Sequence, residues 1–197
     1  MIVPRHSSIN DISELRGKRV GVLPRGGSGE FVARIVLGAY GLAYTDMKVT
    51  FSSTASMMTQ LGRGDMDAAI YSYPFLTEPV TTVHRQRGIR LLPVRREVTN
   101  RLRAEYPFLE RVVVRSTELL GQQRDVDTLG AQSLLICRSA LSEQLVYELT
   151  KQFFVALPDL ARKHPIAGLI DPEQAPTTPI PLHAGAARYY REREILR

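Results

Sequence analysis

Lys18-Arg19-Val20-Gly21-Val22-Leu23-Pro24-Arg25-Gly26-Gly27-Ser28-Gly29-Glu30-Phe31 gives three structural signals in succession. The run from Lys18 to Leu23 is short and apolar and reads as a strand, reached through Leu15-Arg16-Gly17, where Gly17 suits a turn. Pro24 to Gly29 is a glycine-rich loop. From about Gly29 to Tyr40 the residues Val32, Ile35, Val36 and Ala39 recur at the spacing of one buried helix face. Gly41 then stands where a left-handed C-terminal cap is expected. Strand, glycine loop and helix in this order open an α/β architecture.

The pattern continues outward. A strand is expected at Lys48 to Phe51, a short helix near Ser56 to Leu61, and a Gly62-Arg63-Gly64-Asp65 turn into a strand from Ala68 to Tyr71. A helical segment around Val80 to Arg87 and a strand from Ile89 to Val94 complete the unit. Alternating strands and helices predict a mostly parallel sheet covered on both faces. Further on, Arg111 to Arg115 and Leu134 to Arg138 read as strands, and Glu143 to Phe154 as a helix with Leu145, Leu149 and Phe153 on one face. Ala156 to Pro181 holds six prolines, which predicts short helices and loops.

At 197 residues, 44% hydrophobic and 23% charged, the chain has enough apolar material for one large domain or two small ones. Its apolar runs are short and broken by Arg, Gly or Pro, unlike a membrane span. Met1-Ile2-Val3-Pro4-Arg5-His6 does not read as a signal peptide, so the expectation is either a cytoplasmic protein or a chain that begins inside a longer one. A single cysteine, Cys137, excludes an internal disulfide and a cysteine-cluster metal site; within Leu134-Leu135-Ile136-Cys137 it reads as a buried thiol. The four histidines show no metal-ligand spacing. Seven arginines lie between Arg85 and Arg103, but Ile89, Leu91, Leu92 and Val94 interleave them, which favours a strand with solvated flanks over a nucleic-acid surface.

The loop Pro24 to Glu30 holds the most informative chemistry. Glycines bring consecutive N–H groups near a ligand, and the first turn of the following helix adds unpaired donors and a positive dipole end. A carboxylate or phosphate cradle is one reading; a bare strand-to-helix turn is the other. A phosphate-binding loop needs Lys after its second glycine, but Gly27-Ser28 follows Gly26. The nucleophile elbow G-x-S-x-G needs glycine where Glu30 stands, so Ser28 is not read as a nucleophile. Asp65 and Asp67, and likewise Asp125 and Asp127, read as solvated or capping carboxylates rather than metal ligands or acid/base pairs.

Read together, several segments resemble the TAXI family of TRAP-transporter solute receptors. They are Ser8 to Val20, Gly27-Ser28-Gly29, Leu61 to Ala68, Tyr106-Pro107-Phe108, Asp125-Val126-Asp127-Thr128, Val146 to Lys151, and Ile180-Pro181-Leu182-His183-Ala184-Gly185-Ala186-Ala187-Arg188-Tyr189-Tyr190-Arg191-Glu192. The resemblance implies a periplasmic-binding-protein type II fold of which this chain is one lobe plus hinge and returning segments. Residues 1–15 would be a hinge segment, 16–95 the second lobe, and 96–197 the returning segments and a C-terminal helical part. It implies an upstream segment with a signal peptide and much of the first lobe, a periplasmic location and a membrane anchor in the full-length protein. Where the family has Gly-Ser-Gly-Thr, this chain has Gly27-Ser28-Gly29-Glu30. A carboxylate there suits the helix N-terminus but would repel an anionic ligand nearby.

The function expected is therefore delivery of a small carboxylate or amino acid to membrane transporter subunits, with no chemistry performed and no cofactor, metal or nucleic acid involved. Gly27, Ser28 and Gly29 would offer backbone donors, Glu30 would tune ligand charge, and Tyr73 would line the cleft, a core tyrosine being the alternative. Self-association is a further expectation. The rival reading is a protein-interaction module that keeps the lobe and has lost the pocket.

Overall fold

The computed structural model describes residues 1–72, 77–116 and 124–196. They form two compact units, Met1–Ala131 and Gln132–Arg197.

The first unit is built on a five-stranded sheet of order β3-β2-β4-β1-β5, with β1 at Ile2–Pro4, β2 at Arg19–Val22, β3 at Lys48–Phe51, β4 at Ala68–Ile70 and β5 at Ile89–Leu91. Helices α1 (Ser28–Ala39), α2 (Thr54–Arg63), α3 (Glu78–Arg87) and α4 (Arg96–Glu105) connect or follow the strands. β3, β2 and β4 pair in parallel, as the alternating pattern predicts. β1 departs from it: lying antiparallel between β4 and β5, it makes the sheet mixed. Ile2 and Val3 are fully buried on opposite faces of the sheet, so the segment expected to be a hinge contributes an interior strand.

The sheet is covered on both faces. Val20 and Val22 of β2 join Ala33, Val36 and Leu37 of α1 and Val98 and Leu102 of α4 in one core. Ala69 of β4 and Ile89 and Leu91 of β5 join Met57, Met58 and Leu61 of α2 and Val80 and Val83 of α3 in the other. The buried stripe of α1 is rotated from the one read in the sequence. Ala33 and Leu37 are at its centre with Val36, while Val32, Ile35 and Ala39 flank them half-buried. Gly41 has φ +70°, and the Leu42 N–H to Leu37 carbonyl and Gly41 N–H to Gly38 carbonyl bonds close α1 as anticipated.

α4 was not read from the sequence, because its first turn, Arg96-Glu97, extends an arginine-rich stretch. Arg90 donates to the carbonyls of Ser7 and Ile9 at 2.9 and 2.5 Å. Arg95 pairs with Asp11 and lies 4.9 Å over the Tyr40 ring, and Arg101 donates to the Ala39 carbonyl. These arginines dock the N-terminal segment and α1 rather than forming a uniform basic face.

An antiparallel pair, β6 (Leu109–Val114) and β7 (Val126–Ala131), completes the unit. Asp125 accepts from the Ser116 N–H at 2.8 Å, and Asp127 pairs with Arg111 at 2.5 Å.

The second unit corrects four expectations. Leu134 to Arg138 is not a strand, and Cys137 is exposed, as are Leu135 and Ile136. The β6–β7 ladder ends at Ala131, and a strand needs a partner to satisfy its backbone. α5 runs from Glu143 to Lys163, through Pro158, beyond the predicted end at Phe154. Its buried residues are Val146 and Leu157, with Leu145 and Leu149 exposed, so the inward face is the neighbouring one. α6 (Ala184–Glu192) packs there, capped by His183, whose Nδ1 accepts from the Gly185 N–H. Tyr189 stacks on Phe154 at 5.6 Å, and the Tyr147 hydroxyl donates to Glu192 at 2.6 Å.

Gly185 sits where α6 meets α5: a Cβ there would overlap the Glu143 carbonyl and lie 2.6 Å from the Tyr147 backbone nitrogen. Backbone cannot yield as a flexible side chain does, so Gly185→Ala should cost about 1–3 kcal/mol. Denaturant unfolding followed by tyrosine fluorescence measures this; an unchanged midpoint would contradict such close packing.

In the first unit, the Arg95 guanidinium holds the Asp11 carboxyl well below its ordinary range, with bonds from Ser13 adding to the effect. A carboxylate with a depressed folded value stabilises above its unfolded value and loses that contribution as pH falls towards the folded one. Asp11→Asn should therefore be less stable than the native chain at neutral pH, with the gap narrowing below about pH 4. Thermal melts of both proteins between pH 7 and 2 test this.

Candidate functional site

The register Val22 opposite Phe51 and Ile70 brings the carboxyl ends of β2, β3 and β4 level. Three loops leave this edge: Leu23–Gly27, Ser52–Ser53 and Tyr71–Ser72. From β2 the chain passes through α1 to β3 on one side, then through α2 to β4 on the other. The order reverses about β2, and α1 and α2 cover opposite faces. A crevice opens between helices at such a point, where ligands bind in open α/β sheets.

The glycine loop frames this crevice. Gly26 adopts φ +79°, a left-handed conformation that glycine takes at little cost. A Cβ at Gly29 would overlap the Leu23 side chain, so glycine lets the first turn of α1 lie against the end of β2. The first helical bond runs from the Phe31 N–H to the Gly27 carbonyl at 3.0 Å, and the N-cap Gly27 has no capping side chain. The amides of Ser28, Gly29 and Glu30 thus have no acceptor within the helix, at the positive end of its dipole.

The structure separates the site residues expected from the sequence. Gly27 and Ser28 are exposed at the crevice edge, whereas Gly29 and Glu30 are buried. The Glu30 carboxylate accepts from the Tyr44 hydroxyl at 2.9 Å and faces Arg34 at 3.5 Å one helical turn on. Burial and this bond to Glu30 push the Tyr44 hydroxyl far above its ordinary range. Glu30 is therefore anchored to α1 and to the turn before β3. Tyr73 lies outside the described residues.

Two neighbours were missed. Arg25, exposed in the loop, places its guanidinium 4.1 Å from the centre of the Phe51 ring at the end of β3. A cation–π contact of this kind is worth about 0.5–1 kcal/mol at an exposed site and leaves the in-plane N–H donors available. An arginine directly before Gly26-Gly27 was the available signal. Ser52 donates its N–H to the Val22 carbonyl at 3.0 Å, and its buried hydroxyl has no partner among the described residues. Only the register across β2 and β3 brings Ser52 to this edge.

Together these groups suit a small oxyanion: main-chain donors, a helix dipole, one guanidinium and a serine hydroxyl. Among the described residues no three His, Cys, Asp or Glu side chains are grouped to hold a metal ion, and no helix is long and apolar enough to cross a membrane.

Residues 1–193 match the NMT1-like family. The chain belongs to that family. Its solved likenesses include the periplasmic aliphatic sulphonate binding protein SsuA from Escherichia coli, at 18% identity and TM-score 0.49 over 99% of this chain and 60% of that one. The alkanesulfonate-binding protein SsuA from Xanthomonas axonopodis pv. citri, bound to MOPS, aligns at 17% identity and TM-score 0.45 over 96% of this chain and 53% of that one. A periplasmic sulfonate-binding protein from Methylobacillus flagellatus KT matches 34% of this chain and 20% of its own at 27% identity and TM-score 0.32. The NMT1-like chain thus spans less than two thirds of each of these proteins. The family shown is NMT1-like, whereas the sequence resemblance named the TAXI receptors, so the transporter class belongs to the proposal below.

The geometry gives Glu30 a structural task that can be measured. Glu30→Thr removes the carboxylate acceptor of the half-buried Tyr44 hydroxyl, leaving it the Glu30 carbonyl at 3.3 Å, and should cost about 1 kcal/mol. If the bond is the cause, Tyr44→Phe should add little in the Glu30→Thr background, giving a coupling on the order of 1 kcal/mol in a double-mutant cycle. Simple additivity would show that the two residues act separately.

Proposed function

We propose that this NMT1-like chain is the solute-binding component of a membrane transport system. It takes a small organic anion, a carboxylate or amino acid, at the carboxyl edge of β2, β3 and β4. The observation that carries the reading is the switch-point loop, where the unpaired amides of Ser28 and Gly29 open α1 beside the Arg25 guanidinium. Gly27 gives the anion access to them, Ser52 adds a hydroxyl, Tyr73 is a further proposed ligand contact, and Glu30 holds α1 in place. No step of bond chemistry is involved.

Arg25, Gly26, Gly27 and Ser28 are all exposed, whereas small-molecule sites bury most of their ligand. This supports the chain as one lobe of a two-lobed receptor in the periplasm, with the opposing wall of the cleft contributed from outside these loops. The sequence resemblance supports a TRAP-type partner, while one aligned protein bears the name of a sulfonate ABC transporter. Carboxylates and sulfonates both present acceptor oxygens on an anionic head, so the test includes both.

Calorimetry of the chain with glutamate, succinate and ethanesulfonate should give at least one saturable Kd between about 0.1 and 1 mM, equivalent to roughly −5.5 to −4.1 kcal/mol. Arg25→Ala should weaken it about fivefold, roughly 1 kcal/mol, and Cys137→Ser should leave it unchanged. No saturable binding up to about 10 mM would overturn the reading and favour a protein-interaction lobe that has lost its pocket.

A further inference from the structure

The opposite edge of the same sheet carries a second surface. Because β1 runs antiparallel to its neighbours, its end at Pro4 emerges beside the amino ends of β4 and β5. The C-terminal ends of α2 and α3 arrive at this edge as well. One hydrogen bond and the close approach of three glycines place these elements side by side. The Arg5 N–H donates to the Gly88 carbonyl at 3.1 Å, and a Cβ on Gly88 would lie 3.0 Å from Arg5 Nε. A Cβ on Gly64 would lie 4.0 Å from the Arg87 guanidinium, and one on Gly62 would lie 3.5 Å from Val83. Arg5, Arg63 and Arg87 are consequently gathered on one corner, all exposed.

None of these three forms an ion pair with a carboxylate among the described residues, whereas Arg16, Arg19, Arg95 and Arg111 of the same unit each do. The neighbouring His84 adds little positive charge of its own: burial and the nearby Arg5 hold its imidazole below the usual range. A groove of about 360 Å³ runs between α2 and α3 up to this corner, lined by Met58, Thr59, Gly62, Thr82, Val83 and Gln86, with Arg63 also on its wall. Glu78 lines the groove from the first turn of α3.

We propose that this corner is a docking site for an acidic polypeptide segment of a partner protein. The segment would lie in the α2–α3 groove and place its carboxylates among Arg5, Arg63 and Arg87. Arginine suits the task because its planar fork bonds a carboxylate through two N–H groups. A groove receives an extended chain, whereas a bilayer surface is met by a face that inserts apolar side chains. Among the described residues the groove is lined by aliphatic and polar side chains, and duplex DNA is one of the competitors in the test below. The corner lies at the edge of the sheet away from the glycine loop.

The probe is a fluorescein-labelled octaglutamate peptide, titrated by anisotropy against the full chain, with phosphatidylserine vesicles and a duplex DNA of equal charge as competitors. Binding should fall at least tenfold in Arg63→Glu/Arg87→Glu and by a smaller factor in Arg63→Gln/Arg87→Gln, which keeps the test open should the charge reversal unfold. Arg96→Glu/Arg103→Glu changes net charge equally on α4, at the other face of the sheet, and should bind as the native chain does. Arg25→Ala should also bind the peptide normally, which separates this proposal from the solute reading. Equal loss in the α4 variant, no loss in either Arg63/Arg87 variant, or displacement of the peptide by vesicles or DNA at equal charge concentration would overturn it.

Discussion

Burial of β2 and β4 on both faces is the constraint from which the rest of the first unit follows. Val20 and Val22 point into the α1–α4 layer, and Ala68 and Ile70 do the same beside them, while Ala69 faces α2 and α3. Gly21 allows this arrangement. A side chain there would put its Cβ 2.5 Å from Met66 Sδ and 2.9 Å from Met57 Sδ. α2 therefore sits low over β2 and α1 covers the other face, so the chain must leave the strand ends through loops that diverge to opposite sides. The crevice at that edge is a geometric consequence of close packing on two faces rather than a feature added to the fold.

The same constraint organises the charges. A sheet covered on both sides leaves only its two edges for polar chemistry. The carboxyl edge has the N-terminus of α1 with Arg25, and the amino edge the C-terminal ends of α2 and α3 with Arg63 and Arg87. Arginines lying between these edges are used internally. Arg90 ties the backbone of residues 7 and 9 to β5, and Arg95 joins Asp11 to Tyr40. A net charge of +6 alone does not distinguish arginines that hold segments together from those that face solvent unpaired; their partners do.

Glu30 shows how a local reading and a tertiary contact diverge. At the first turn of a helix a carboxylate is expected to meet the helix dipole, and next to a glycine loop it is expected to oppose anions. The turn before β3 instead brings Tyr44 within 2.9 Å of the carboxylate, and Arg34 approaches it from the next turn of α1. The charge is thereby committed to joining α1 to the segment after it.

The sequence by itself determined the strand–loop–helix start, the α/β class, the left-handed cap at Gly41 and most elements up to β5. These are signals of short range: apolar period, glycine position and turn chemistry. Only the tertiary structure decided what depends on partners distant in sequence. Ile2–Pro4 is three residues long, too short for a period, and became a strand because β4 and β5 offered backbone partners on both sides. Leu134 to Arg138 had the composition of a strand and found no ladder, so Cys137 is exposed. The inward face of α5 was set by where α6 lands, with Gly185 against the backbone of Glu143 and Tyr147, which shifted burial from Leu145 and Leu149 to Val146 and Leu157. Ser52 joined the glycine loop for the same reason. Strand register joins residues far apart in the chain, and no local spacing encodes it.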